Sequence, residues 1–599
     1  MSIASEAIWA ALPSTTRGQP TPLSSDSKGE RIAYASGKSI FTRSIPSPNT
    51  STAYTLHTAP TTVARFSPSG FWIASADASG QVRVWSTSSD GTTKGEYAIL
   101  AGRINDLAWD ADNQRIIAVG SGRERMGHAF SWDTGNSVGE VAGHSGPINA
   151  VSIRQQRPLR AATGSDDAST VFYHGAPFKF QTSMRGQHER FVLGTAFSPD
   201  GTHLVTVGAD RKIWLYDGKT GEPAKQIGEG VHGGSIFAVS WAPDSRRFAT
   251  SSADGTVRVW DADAGTNTHT WRLAPQGDKI PISEQQVGLT WPGGRNDGLV
   301  ISIDLDGRLN YLYPDSDSPA RVVDGHQKSI TAALVHDGKV WTGSYAGAVR
   351  VWDAEGVARR VEGTGHSNYV SGFAGVDGGV VSVGWDDTLR RIEGGKFVGE
   401  GVKIGAQPKG VAAAGGRVYV LTAQTIVIVQ GDKVEGKVDV PGDGTAISVH
   451  EDILAVGSAD KKVRIYSLAS GKPVLTEAAP RSATGAISAL AFSPQGGYLA
   501  AGVANGKILV YRTADWSVAT DRWGAHTGRV TALAWEGEER CVSGALDTNV
   551  FVWSVKEPAK RVKAGQAHKE GVNGVGWLDS GRVVSAGGDA AVRVWGVGK

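Results

Sequence analysis

The sequence rebuilds one short unit over and over, and residues 231–261, VHGGSIFAVSWAPDSRRFATSSADGTVRVWD, carry it in its fullest form. Alternation of apolar and polar residues predicts three short strands, at 235–241, 247–251 and 256–260. Pro243-Asp244 cannot continue a ladder, and Asp254-Gly255 supplies a tight hairpin that accepts positive φ. His232 precedes the first strand, Ser251 ends the second, Asp254 occupies the turn and Trp260-Asp261 closes the third. A half-buried His or Asp is tolerable only when hydrogen-bonded, so these side chains read as pins between strands rather than as reactive groups.

The third strand is the ruler for the rest of the chain. Fourteen such strands end at Phe41, Trp85, Trp132, Tyr173, Tyr216, Trp260, Leu312, Trp352, Ile392, Val429, Tyr466, Tyr511, Trp553 and Trp595, mostly about forty residues apart. An Asp stands six positions earlier at Asp167, Asp210, Asp254, Asp306, Asp386, Asp460, Asp547 and Asp589, and histidines precede the units at His144, His188, His232, His326, His366, His526 and His568. This order resembles a WD repeat, which implies that the His, the Ser or Thr, the turn Asp and the Trp form a hydrogen-bonded chain within one propeller blade.

Propellers close with four to eight blades, so fourteen repeats divide best into two rings of seven. The expected fold is all-β, two tandem seven-bladed WD40 β-propellers, spanning 14–323 and 324–599. Each blade needs an outer fourth strand, which blade 7 finds at 320–323, whereas blade 14 has none before the last residue. Residues 3–12 form the spare strand, so residues 1–13 are expected to close the second propeller and leave no open edge. The alternative is an exchange, with 3–12 closing blade 7 and 320–323 closing blade 14.

Two blades depart from the pattern. The third has an enlarged turn, Ser121-Gly122-Arg123-Glu124-Arg125-Met126-Gly127, and the seventh is stretched by residues 276–286. Extra loop length is where function tends to sit.

Composition bounds the partners. Lys plus Arg (61) against Asp plus Glu (59) gives a net charge of +2, so no global field argues for nucleic acid. The 79 glycines suit a turn-rich all-β chain, and Cys541 has no second cysteine to pair with. No apolar run has membrane-spanning length. A cytoplasmic monomer without a membrane or nucleic-acid partner is expected.

Motifs that suggest chemistry fail on context. Gly228 to Gly233 fits a dinucleotide fingerprint but precedes a strand, and GDKVEGKV (431–438) puts Val438 where a phosphate loop needs Ser or Thr. The histidines are spread one per blade with no cysteine partners, which argues against zinc. Cys541 has no base in its repeat. No catalytic residue, metal ligand or cofactor is expected, and the chain reads as a binding protein rather than an enzyme.

The runs GRERMGHAFSWDTG (122–135), TGSDD (163–167), GAPFKF (175–180) and SPDG (198–201) before LYDGKTGE (215–222), set in two propellers, resemble the actin-interacting protein 1 family. The resemblance implies a cytoskeletal factor of actin-rich cortical structures that cooperates with cofilin, severing cofilin-decorated actin filaments and capping their ends. It also implies that the actin and cofilin residues lie in the first propeller, at Glu124, Asp166, Lys179, Phe180 and Phe191. Strand topology puts Glu124, Asp166 and Phe191 on one face across blades 3 to 5, with Phe178, Lys179 and Phe180 around its edge. Each also has a plain reading: Asp166 as a neighbour of Asp167, Phe180 under the rim, Phe191 in the core. The rival function is a general WD-repeat scaffold in another complex.

Overall fold

Blade 6 shows why the repeat folds as it does. Its strands Ile236–Trp241, Arg247–Ser252, Thr256–Asp261 and Asn267–Arg272 pair antiparallel in that order. One face buries Ile236, Phe248 and Trp260 against Ile213, Leu215 and Ile227 of blade 5. The other buries Ala249, Val257, Val259 and Trp271 against Leu289, Trp291 and Val300 of blade 7. A sheet sandwiched between two neighbours must be apolar on both sides, which is why polar positions are few in the inner strands. Trp260 is fully buried, and removing such a ring costs about 3–5 kcal/mol.

The computed structural model describes residues 2–88, 91–275, 279–478 and 480–598. Its strands make fourteen four-stranded antiparallel sheets. The chain divides into two compact units, Leu12–Gln327 and a second composed of Met1–Ala11 with Lys328–Lys599, and seven sheets fall in each. This is the all-β double propeller. The one helix among the described residues is a 3-10 turn at Ile282–Glu284, and none is long and apolar enough to cross a membrane. That turn lies in the stretched part of blade 7, of which residues 276–278 fall outside the described residues.

In the first propeller the Thr21 N–H donates to Val287 O (2.8 Å), joining blade 1 to blade 7. In the second, Asn573 Nδ2 donates to Ile330 O (2.7 Å), joining blade 14 to blade 8. Blade 14 is built from Val572–Asp579, Arg582–Gly587 and Val592–Gly598, and its outer strand is Ser2–Trp9, with Ser5 opposite Trp595. Trp9 is buried and stacks on Trp352 of blade 8, with ring centroids 5.6 Å apart. The outer strand of blade 7 is Arg321–Val323.

The pins are present, with one change of residue. His232 Nδ1 meets Asp254 (2.9 Å), and its Nε2 meets Thr250 Oγ1 (2.9 Å), to which Trp260 Nε1 also donates (2.8 Å). Thr250 therefore takes the place that Ser251 was expected to fill. The pleat decides this: Thr250 and Phe248 share the face on which Trp260 lies, and Ser251 faces the other way, opposite Val257. The His–Asp and His–Ser/Thr bonds recur around His144, His188, His366, His526 and His568, although in blade 9 Ile392 stands where the tryptophan would be. A further network, His57–Asp77–Ser75–Trp85, escaped the six-residue offset because Asp77 ends its strand instead of entering the turn.

Two other positions differ from the ruler. Asp460 pairs with Arg464 (2.5 Å) instead of a histidine. In blade 3 the third strand is Gly127–Ser131, and Phe130 opposite Ile116 takes the place that Trp85 takes opposite Ile73. Trp132 lies beyond the strand and donates its indole N–H to Asn113 O (2.6 Å). The turn residue after the Asp is left-handed, as Gly255 (φ 72°) permits, yet Thr548 (φ 71°) holds the same conformation in blade 13.

Candidate partner-binding face of the first propeller

The candidate residues Glu124, Asp166 and Phe191 lie in blades 3 to 5. In each, the turn from second to third strand and the connection from outer strand to the next first strand leave on the same face, because strands alternate in direction. Glu124 lies in the first kind of segment, between Arg115–Gly122 and Gly127–Ser131. Asp166 lies in the second such turn, between Arg160–Ser165 and Thr170–His174. Phe191 ends the connection from Lys179–Met184 to Val192–Phe197.

The enlarged turn of blade 3 is held from one side. Arg125 turns back, donating to Ile99 O (3.0 Å) and to His128 Nδ1 (3.2 Å), and Arg123 and Glu124 are exposed. Burial and the Arg125 cation both lower the His128 pKa, against the pull of Glu140, which keeps that imidazole neutral beside the guanidinium.

Asp166 and its neighbour divide the work. Asp167 accepts from the His144 ring (3.1 Å), the Ser145 N–H (2.8 Å) and Ser169 Oγ (2.6 Å). Burial opposes its charge, but those donors outweigh burial and hold the carboxyl at about 2. Asp166 is half-buried on the face, and its Oδ1 accepts from Asn149 Nδ2 (2.8 Å). The same Asn149 nitrogen donates to Val192 O (3.1 Å), so one side chain fastens Asp166 beside the backbone that follows Phe191. Asn149 was not legible as a site residue. Its only signal is a polar side chain in an inner strand, repeated in blade 3, where Asn105 donates to Ile148 O (2.9 Å).

Phe191 is 50% exposed, so it is not a core residue. Its carbonyl accepts from the Ala209 N–H (2.8 Å), which fixes the backbone while the ring stays at the surface. Beside it, Glu189 pairs with Lys212 (2.7 Å). Val231 before blade 6, and Ile280 and Ile282 before blade 7, are further exposed apolar residues in outer-to-first-strand connections on this face. The 3-10 turn that carries Ile282 is pinned by Arg308 Nη2 to Glu284 (2.7 Å) and by Leu305 N to Ser283 O (3.1 Å).

Lys179 and Phe180 are placed apart from these three. Lys179 opens the outer strand of blade 4 opposite His174, at the end where third and fourth strands join, away from the face. Phe180 is 48% exposed and lays its ring against Gly143, where a Cβ would come within 2.7 Å of it. Phe178 corrects the expected aromatic pair: it is 2% exposed, its N–H donates to Val138 O (2.8 Å), and it belongs to the core between blades 3 and 4. The face thus offers an aromatic ring and apolar side chains among charges. Among the described residues, no group of three or more His, Cys, Asp or Glu side chains is disposed to hold a metal.

The architecture and the repeated pins define a tandem-propeller WD-repeat protein. The WD domain, G-beta repeat model matches residues 49–86, 178–217, 226–261 and 559–596, and the anaphase-promoting complex subunit 4 WD40 domain model matches 445–538. Over nearly its whole length the chain is similar to actin-interacting protein 1 of Drosophila melanogaster (37% identical, covering 94% of this chain and 93% of the relative). It is likewise similar to WD repeat-containing protein 1 of Xenopus tropicalis (38%, 94% of each) and to the 66 kDa stress protein of Physarum polycephalum (37%, 96% of each). The chain belongs to the actin-interacting protein 1 and WD repeat-containing protein 1 family.

Proposed function

We propose that this chain binds actin filaments and, with cofilin, promotes the severing and end-capping of cofilin-decorated filaments. It acts in the cytoplasm at actin-rich cortical structures, as a monomeric binding protein and not as an enzyme. The observation that carries the reading is the match, across nearly the full length of both chains, to a relative whose name states an interaction with actin. The working surface in this reading is Glu124, Asp166 and Phe191 on the face of blades 3 to 5, with Lys179 and Phe180 making a separate contact from the outer strand of blade 4. An exposed ring beside a fastened carboxylate supports it, since aromatic anchors ringed by charge supply affinity while the charges orient the partner.

Co-sedimentation with actin filaments, with and without cofilin, is the test. The chain is expected to pellet with cofilin-decorated filaments and to leave more actin in the supernatant. A general scaffold for another complex would stay in the supernatant in both arms. Lys179→Ala is expected to weaken the effect at low salt and to matter less at high salt, where screening has already removed its contribution.

A further inference from the structure

The second propeller carries a group of exposed aromatic side chains that this reading does not use. In blade 9 the Trp385 N–H donates to Tyr369 O (2.8 Å), joining the turn between second and third strands to the residue before the first strand. The same bond joins Tyr345 to Ser329 in blade 8 (2.9 Å) and Leu546 to Arg529 in blade 13 (3.0 Å). These positions therefore form a ring around the channel mouth on one face. Blades 11, 12 and 14 place only Ala459, Ala504 and Gly588 at the turn position, so the mouth has an aromatic wall at blades 8 and 9 and a low floor elsewhere that only Leu546 interrupts among these blades.

The wall is ordered by its own contacts. Tyr369 stacks on Trp385 at 4.3 Å and 20°, and Tyr345 meets Tyr369 edge-on at 6.1 Å and 83°. Tyr345 is 61% exposed and Trp385 38%. Contiguous aromatic surface left in water marks an interaction site. Lys409 Nζ lies 6.0 Å from the centre of the Trp385 ring. Arg529 holds in blade 13 the pre-strand position that Tyr369 holds in blade 9, so it stands on the same mouth.

Charge selects the occupant. Aromatic clusters can hold ammonium groups, but here a cationic ligand would meet Lys409 on one flank and Arg529 on the other. Carboxylates would be attracted at both. Asp386 and Asp387 follow Trp385 in the turn, Asp386 being held by His366 (3.0 Å), and Asp443, the acid at the pre-strand position of blade 11, stands by the low floor. The rings are already stacked on one another, so they offer a ridge rather than a deep slot. A proline ring packs flat on such a ridge, and an extended proline segment loses little freedom in doing so. We propose that this mouth, with Tyr345, Tyr369 and Trp385 as wall and Lys409 and Arg529 as flanks, binds an extended, acidic, proline-containing segment of a partner protein.

The proposal is independent of the actin reading, and its test contains neither actin nor cofilin. Fluorescence anisotropy of the full chain would be measured with a labelled peptide in which proline pairs alternate with glutamates, and with its counterpart carrying lysine at each glutamate. The acidic peptide is expected to bind saturably, and the lysine peptide at least about tenfold more weakly. Trp385→Ala, Tyr345→Ala and Arg529→Glu are each expected to weaken the acidic peptide by about tenfold or more. Tyr345 and Arg529 keep the test decisive if Trp385→Ala lowers the melting temperature. Absence of binding to the acidic peptide, equal binding of the lysine peptide, or unchanged binding by the Tyr345 and Arg529 variants would overturn it.

Discussion

At the scale of single residues the chain is held by buried polar networks whose members are not interchangeable. Thr250 Oγ1 serves both His232 and Trp260, so Thr250→Val would leave two buried nitrogens unpaired, at about 1–3 kcal/mol. Ser251, next to it, is buried and its hydroxyl has no hydrogen-bond partner, so Ser251→Ala should change stability by less than about 0.5 kcal/mol. Chemical denaturation of the two variants checks the pair, and equal losses would show that the network does not run through Thr250. Asp254→Ala and Asp589→Ala should each cost about 1.5–3 kcal/mol, since each removes an ionised acceptor from a buried His.

The same pins set the pH response. Burial lowers the pKa of His144 and His526 despite the pull of Asp167 and Asp547. A group lowered on folding is protonated first in the unfolded chain, so stability falls as pH drops below the ordinary histidine value of 6.5. Asp167, held at about 2, contributes stability that is complete above its ordinary 3.8 and is lost as pH falls toward 2. Melting temperatures should therefore decline in two stages on acidification, and a flat profile from about pH 8 to about pH 4 would contradict this.

At the scale of elements the decisive one is Ser2–Trp9, which pairs along the whole of Val592–Gly598 and stacks Trp9 on Trp352. Deleting residues 2–11 would expose the last strand's edge and empty the site of Trp9. Hydrogen exchange should speed up in blades 8 and 14 while the first propeller keeps its protection, and uniform acceleration of both units would contradict that assignment. A count of strands per blade points to this element because a propeller sheet short of one strand has unpaired backbone groups. Other elements were less legible. The indole of Trp132 outshone Phe130 as a strand end because composition marks a large aromatic but not the side of the pleat it faces. His57 was hidden by a two-residue shift of its Asp. Exposure was not legible at all: Phe178 and Phe180 are two residues apart in one motif, yet one is core and the other surface.

At the scale of the whole molecule, two seven-bladed rings built from one repeat present different side chains. The first has Phe191 beside a fastened Asp166, and the second has an aromatic wall between cations. The repeat explains the scaffold and says little about these faces, because its pinned residues point inward while the turn residues beside them are unconstrained by the fold. In the proposed function the first propeller works on cofilin-decorated filaments through its face at blades 3 to 5. The most direct test pairs two readings on Phe191→Ala, the rate of cofilin-dependent filament disassembly and the melting temperature. Because the ring is half exposed, disassembly should slow by about tenfold while the melting temperature stays within about 1 °C of the parent. Disassembly at the parent rate, or a loss matched by an equivalent fall in melting temperature, would contradict the account.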